Sequence, residues 1–268
     1  RFKKVVTIHD LVVHEDGLVD ERFAAEGIAK LERTLFRHRP DRIITVSEFT
    51  RGRLIEHYPA LAPITHALHL GVDPRFAADD GLPIPATIGN RPYILSVGSV
   101  EKRKNLMATV RAFEEVHRHH PELRLLIAGG SGHGAGEIDA IIRSSNATEA
   151  ISRLGFVDDA ILPALYRHAT CFLYPSLYEG FGLPILEAMA AGCPVVTSSR
   201  GAMAEVAGNA ALLADPAAPD DIAAKAMMAI EDDAERARMI AAGRKRAGYF
   251  TWDRCAEGTV DVYRKAMG

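Results

Sequence analysis

Residues 170–174 read Thr-Cys-Phe-Leu-Tyr, and residues 179–187 read Glu-Gly-Phe-Gly-Leu-Pro-Ile-Leu-Glu. The first run is apolar and strand-like. The second opens as a glycine-rich turn, and from Leu183 to Ala191 it reads as a helix that Gly192 stops. A strand leading through a tight turn into a helix is the repeating unit of a parallel α/β sheet. Glu179 then lies beyond the strand's carboxyl end. Glu187, eight positions on, lies about one turn into the helix. Between them the amides of Phe181, Gly182 and Leu183 point outward at a helix N-terminus, where anionic groups are favoured. Two carboxylates flanking such a turn suit an anionic ligand that also carries hydroxyls.

Working outward, strand-like and helical runs alternate over the whole chain, as in doubly wound parallel sheets. Val5–Ile8, Ile43–Val46 and Ile64–Leu68 read as strands, with helices over 21–38 and from a Ser47 cap to about Tyr58. Gly71-Val72-Asp73-Pro74 and the Pro/Gly-rich stretch 79–92 read as a linker. The alternation restarts at Tyr93–Val97. Helices are expected over 105–120, 135–145, 160–168 and 183–191, and strands over 123–128, 151–154, 170–174 and 195–197. Three helices (220–231, 233–247 and 252–266, the last capped by Thr251) close the chain. The fold class is therefore α/β, with a boundary that divides the chain into 1–78 and 79–250, followed by a terminal helical segment, 251–268.

The 268 residues carry a formal net charge of −3, and 48% of them are hydrophobic. That is a globular composition with mixed charge, and it has no basic stripe for nucleic acid. No apolar run is long enough to span a bilayer, and the opening does not read as a signal peptide. Cys171, Cys193 and Cys255 have neither metal nor disulfide spacing, which fits a reducing, cytoplasmic setting.

The chain resembles retaining glycosyltransferase family 4, the group 1 transferases of the GT-B fold. The resemblance rests on the Glu179–Glu187 spacing together with Thr7-Ile8-His9-Asp10, Gly71-Val72-Asp73, Val97-Gly98-Ser99, Arg103-Lys104-Asn105-Leu106, Leu154-Gly155-Phe156-Val157 and the run from Ser198 to Asp215. It implies two Rossmann-like domains: the acceptor side in 1–78, N-terminally incomplete relative to the family, and the nucleotide-sugar side in 79–250. The terminal helix is implied to cross back to the first domain. It also implies transfer of a hexose from a nucleotide-diphosphate sugar to a glycan or lipid-linked acceptor. The flavour of the motifs is that of bacterial polysaccharide mannosyltransferases, so GDP-mannose is the first expected donor, with UDP-linked sugars as the alternative.

Site residues follow from the same resemblance. Lys104 is expected at the donor phosphates. The family's companion arginine falls at Ser99, just after Gly98, so Arg103, leaving the same loop, is expected to bring the second charge. Glu187 is expected on the ribose hydroxyls and Glu179 on those of the donor sugar. His9 is expected near the reaction centre, and Phe156 and Val157 at the base edge. Gly129-Gly130-Ser131-Gly132 reads as a close-approach loop of the donor site rather than a dinucleotide fingerprint. Glu205 is expected to line the site, and His14 to be at the surface.

No cofactor or metal is expected. The chain has no Asp-x-Asp, and His117, His119 and His120 read as a solvated helix end. Two alternatives remain open: a nucleotide-sugar epimerase on the same fold, and a chain that binds donor without turnover. The basic residues Lys3, Lys4, Arg22, Lys30, Arg33, Arg37 and Arg39 read either as a solvated face or as a peripheral contact with anionic lipid at the inner face of the membrane.

Overall fold

Tyr93-Ile94-Leu95-Ser96-Val97 is apolar but for one serine, and such a run is stable as a strand when both its faces are covered. It is an inner strand of a six-stranded parallel sheet in a computed structural model that describes residues 2–78, 81, 83, 84, 88–132 and 134–268. The chain first builds a smaller sheet from β1 (Val5–Ile8), β2 (Arg42–Thr45) and β3 (Thr65–Ala67), with α1 (Glu21–Glu32) and α2 (Glu48–His57) as connections. These strands pair in parallel in the order β1-β2-β3.

The larger sheet comprises β4 (Tyr93–Val97), β5 (Arg124–Ala128), β6 (Ile151–Gly155), β7 (Cys171–Tyr174), β8 (Val195–Ser198) and β9 (Leu212–Ala214). Its crossovers are α3 (Leu106–His119), α4 (Ala135–Ser144), α5 (Leu162–His168), α6 (Leu183–Ala191) and α7 (Gly201–Ala207). Then α8 (Pro219–Glu231), α9 (Asp233–Ala247) and α10 (Trp252–Met267) finish the chain.

The strand order β6-β5-β4-β7-β8-β9 runs outward from β4 on one side and then returns to its other flank. This is the Rossmann order, and it leaves a crevice at the carboxyl ends of β4 and β7, where the direction reverses. Residues alternate between two core layers, as the pleat requires. Tyr93, Leu95, Phe172 and Tyr174 face the layer under α5 and α6. Ile94, Cys171 and Leu173 face the layer under α3 and α8. A third cluster, including Ile8, Leu11, Ile43 and Leu54, fills the small sheet.

Two glycines bring the sheets together. A Cβ at Gly180 would stand 1.8 Å from the His9 carbonyl oxygen, so the loop after β7 touches the backbone that leaves β1. The Gly180 carbonyl accepts from Ser47 Oγ at 2.6 Å and from Thr50 Oγ1 at 3.0 Å, at the N-terminal end of α2. At Gly71 a Cβ would meet Trp252 N at 2.2 Å, and Val72 N donates to Phe250 O at 3.0 Å. The two chain crossings thus run side by side. α10 returns over β2, where Arg42 donates to the Lys265 carbonyl at 2.7 Å.

Ser47 and Thr251 cap their helices as their side chains suggest, accepting from Thr50 N and Arg254 N. The expectation for 198–219 misses α7 and β9. The helix over 21–38 ends its α-form at Glu32 and closes with a π-turn, Arg33–Arg37. Within the stretch 79–92 expected as a linker, residues 79, 80, 82 and 85–87 lie outside the described residues.

Candidate functional site

The loop after β4 is shaped by its glycine and its asparagine. Gly98 has φ +146°, and a Cβ there would sit 3.2 Å from the Lys104 stem, so glycine keeps the path of that side chain clear. Lys102–Lys104 form a single 3-10 turn, ended by Asn105 at φ 57°, in the left-handed region where asparagine is tolerated. The Asn105 amide donates to the carbonyls of Pro175 (3.0 Å) and Pro216 (2.7 Å), and Leu177 N donates to Arg103 O at 2.7 Å. The loops after β4 and β7 are therefore fastened together at the strand-order reversal.

Across that fastening three charges meet. Arg103 Nη1 donates to Glu179 Oε2 at 2.6 Å, and Lys104 Nζ stands 2.7 Å from Glu179 Oε1. The lysine approach is an ion pair off hydrogen-bond alignment, so buried Oε1 keeps acceptor capacity. Lys104 also donates to the Tyr174 hydroxyl at 2.6 Å and lies over that ring at 4.9 Å. The Lys104 side chain is only 11% exposed and that of Arg103 23%. Burial pulls the Lys104 pKa down; Glu179 pulls it up and Arg103 down again, and the net is below its ordinary value. Burial also works against the Arg103 charge, but Glu179 and Glu101 outweigh it and raise its pKa.

Glu187 stands in a different setting. It is half-buried on α6, and its Oε2 accepts from Tyr166 Oη at 2.9 Å. Burial pushes its pKa above the ordinary carboxylate value, against the pull of the Tyr166 hydroxyl and of Arg75. Tyr166 is itself fully buried and raised well above its usual pKa, by burial first and Glu187 second. Its ring meets Phe172 edge-on at 5.2 Å, and Phe172 stacks on Tyr174 at 5.6 Å. An aromatic row under the crevice thus joins the Glu187 end to the Lys104 end. Tyr166 and Tyr174 were not singled out by sequence. For Tyr174 a signal existed, because a tyrosine ending an inner strand emerges at the crevice; for Tyr166 there was none.

The remaining candidates are placed as follows. His9 is exposed, and its backbone lies against Gly180. Phe156 is 84% exposed after β6, while Val157 packs on the core. The Phe181 ring is buried between His69 and Phe250. Gly182 (φ 121°) and Leu183 begin α6. Ser99 donates to Glu101 Oε1 at 2.5 Å. Beside Arg103 and Lys102 opens a cleft of about 790 Å³, walled on the small-sheet side by Val12, Leu18 and Val19. A second cavity of about 590 Å³ lies where the chain crosses between sheets, lined by Val72, Arg244 and Trp252, and none of the candidate residues lines it.

Three expectations are corrected. Glu205 does not stand free in the crevice: its carboxylate accepts from Glu48 N (2.9 Å), Phe49 N (2.8 Å) and His69 Nε2 (2.7 Å), clamping the start of α2. Gly129 and Gly132 serve protein packing, since a Cβ would meet Gly98 O at 1.9 Å and Val100 O at 2.6 Å. His14 is not a free surface residue: it stacks on His57 at 4.0 Å and bonds the Tyr58 hydroxyl at 3.2 Å. Of the basic residues at the small sheet, Lys3 pairs with Asp41 and Lys4 donates to His38 O. Among the described residues no group of side chains is arranged to hold a metal ion, and no helix is long and apolar enough to cross a membrane.

Comparison with known proteins agrees with this geometry. A family model described as glycosyl transferases group 1 matches residues 83–246. O-antigen chain mannosyltransferase B of Escherichia coli is 33% identical over 98% of this chain and 70% of its own length. MMP alpha-(1->4)-mannosyltransferase of Mycolicibacterium hassiacum is 29% identical over 90% of this chain, which spans 58% of that relative. Among solved structures, HepE of Anabaena in complex with UDP and glucose superposes with a TM-score of 0.83 at 18% identity, covering 97% of this chain and 71% of its own. Sucrose-phosphate synthase of Thermosynechococcus elongatus gives 0.81 at 24% identity, covering 100% and 68%. With two parallel sheets and these neighbours, the fold is GT-B.

Proposed function

The chain belongs to the glycosyl transferases group 1 family, and we propose that it is a retaining hexosyltransferase acting on a nucleotide-diphosphate sugar. Mannose from a GDP-linked donor is the favoured case, because relatives over most of this chain are named mannosyltransferases. The acceptor is a glycan or a lipid-linked glycan. The observation that carries the reading is the convergence of Arg103 and Lys104 on Glu179 at the strand-order reversal. Two cations beside a buried carboxylate, at the mouth of a Rossmann crevice, suit a ligand that joins a diphosphate to a polyol.

In this reading Lys104 and Arg103 bind the diphosphate and stabilise the charge that grows on it as the glycosidic bond breaks. These cations supply the electrostatic role that a divalent ion fills in other nucleotide-sugar enzymes, which supports metal-independent action. As phosphate oxygens take over the two cations, Glu179 becomes free to accept from the sugar hydroxyls. Glu187, with one oxygen anchored by Tyr166, receives the ribose hydroxyls. The amides of Gly182 and Leu183 at the start of α6 lie on the same rim. Phe156 and Val157 border the base. His9, brought over Gly180 from the small sheet, closes the sugar end. Glu179 is assigned orientation of the donor sugar rather than covalent attack.

The test is product stereochemistry. The protein is incubated with GDP-mannose and a panel of mannoside acceptors, and the anomeric proton of the product is read by NMR. An α-linked product supports the proposal. An inverted product, or conversion of donor alone to an isomeric nucleotide sugar, contradicts it. Donor binding with no transfer to any acceptor contradicts the catalytic claim and leaves a binding protein.

A further inference from the structure

Glu101 looks like one more charge in the run Glu101-Lys102-Arg103-Lys104, yet it has a defined job in the geometry. Its two oxygens are divided between two partners. Oε1 accepts from Ser99 Oγ at 2.5 Å, and Oε2 accepts from Arg103 Nε at 2.6 Å. The far side of the same guanidinium, Nη1, donates to Glu179 at 2.6 Å. A single file therefore runs from the Ser99 hydroxyl through Glu101 and Arg103 to Glu179. The backbone beneath it is already fixed by Asn105.

An arginine side chain loses rotamer freedom when it is held in one place. Glu101 carries that restraint before any ligand arrives. An exposed ion pair contributes little, but Arg103 is largely covered and bonded at both ends. Burial raises the Glu101 pKa, and the Ser99 hydroxyl and Arg103 more than reverse this, so the group stays ionised.

We propose that Glu101, itself steered by the Ser99 hydroxyl, is a positioning residue that aims Arg103 at the donor diphosphate. The inference rests on the reading of Arg103 as a diphosphate ligand. It makes the aim of Arg103 depend on a carboxylate two residues away, and it explains why a serine after Gly98 is compatible with a two-cation clamp.

The test is a double-mutant cycle read by calorimetry with GDP and UDP, using whichever binds the wild-type protein more tightly. Glu101→Gln replaces the carboxylate acceptor of Arg103 by a neutral amide and is expected to weaken binding about five-fold. In an Arg103→Ala background the same substitution is expected to cause no loss, and at most a small gain from the removed negative charge, because Glu101 acts through Arg103. Ser99→Ala gives a smaller loss that disappears in the Glu101→Gln background. Affinity that is unchanged or higher in Glu101→Gln overturns the proposal, since removing a negative charge near a phosphate without a positioning role favours binding. An equal loss in both backgrounds also overturns it. If Arg103→Ala itself binds as tightly as wild type, the diphosphate reading of Arg103 fails and the proposal falls with it. If Arg103→Ala weakens binding while Glu101→Gln does not, the proposal fails alone.

Discussion

Replacing Lys104 by methionine separates the two jobs that its surroundings assign to it. Methionine preserves the stem that passes Gly98 and Tyr174 and removes only the ammonium group. In the free protein that group pairs with Glu179 at 2.7 Å. Removing one partner of a buried pair costs about 3–5 kcal/mol when the other is left alone. Here Glu179 keeps Arg103 on its second oxygen, so the expected loss is roughly 1–2 kcal/mol, at the lower end of what breaking a buried polar contact costs. For a chain of this size each kcal/mol corresponds to about 2–4 °C in melting temperature, which gives an expected drop of roughly 2–8 °C. In the nucleotide complex the lost contact is a charge-assisted bond to phosphate, about 1.5–3 kcal/mol. That corresponds to roughly 10- to 150-fold weaker GDP or UDP binding. Differential scanning fluorimetry and calorimetry on the same preparations give both numbers. A lower melting temperature with undiminished nucleotide affinity would refute the reasoning, because Lys104 would then be only a structural counter-ion.

Tyr166→Phe removes the hydroxyl that holds the Glu187 pKa down against burial. The pKa then climbs further, and the acid limb of nucleotide affinity is expected to move to higher pH; a limb that stays or moves down contradicts the role of Glu187. The sign for stability is opposite. A carboxyl whose folded pKa is raised binds its proton more tightly when folded, so the fold gains stability as pH falls through that pKa while nucleotide affinity drops. Gly180→Ala places a methyl group 1.8 Å from the His9 carbonyl, where only backbone is available to move. It is expected to cost about 1–3 kcal/mol and to reduce transfer more than nucleotide affinity, since it separates His9 from the loop after β7. An unchanged melting temperature would show that this contact between the sheets is not tight.

The elements around the site were legible because their determinants are local. The turn after β7 carries its own glycines, a proline and an apolar helix. The loop after β4 carries an asparagine suited to the left-handed conformation that ends its 3-10 turn. The convergence of Arg103 and Lys104 on Glu179 follows from β4 and β7 lying side by side, a strand order that βαβ alternation alone does not fix. Partnerships across long sequence separation were not legible. Glu205 reaches α2 over 157 positions, and nothing in Ala204-Glu205-Val206 announces two amides and a histidine as its partners. The short α7 and β9 carry too few residues to show a period. Glu101 was hidden by its own neighbours, because four charges in a row look solvated until a 3-10 turn sets them on different sides. Gly129 and Gly132 were read as room for a ligand, whereas their close contacts are with the adjoining loop.

Arg103, Lys104, Glu179 and Glu187 are proposed to form one donor site. A crystal structure of the protein grown with GDP or UDP tests that proposal most directly. Diphosphate oxygens are expected within hydrogen-bond distance of both Arg103 and Lys104, with the ribose hydroxyls on Glu187. A nucleotide bound with its diphosphate away from both cations, the Arg103 and Lys104 contacts to Glu179 intact, would contradict it.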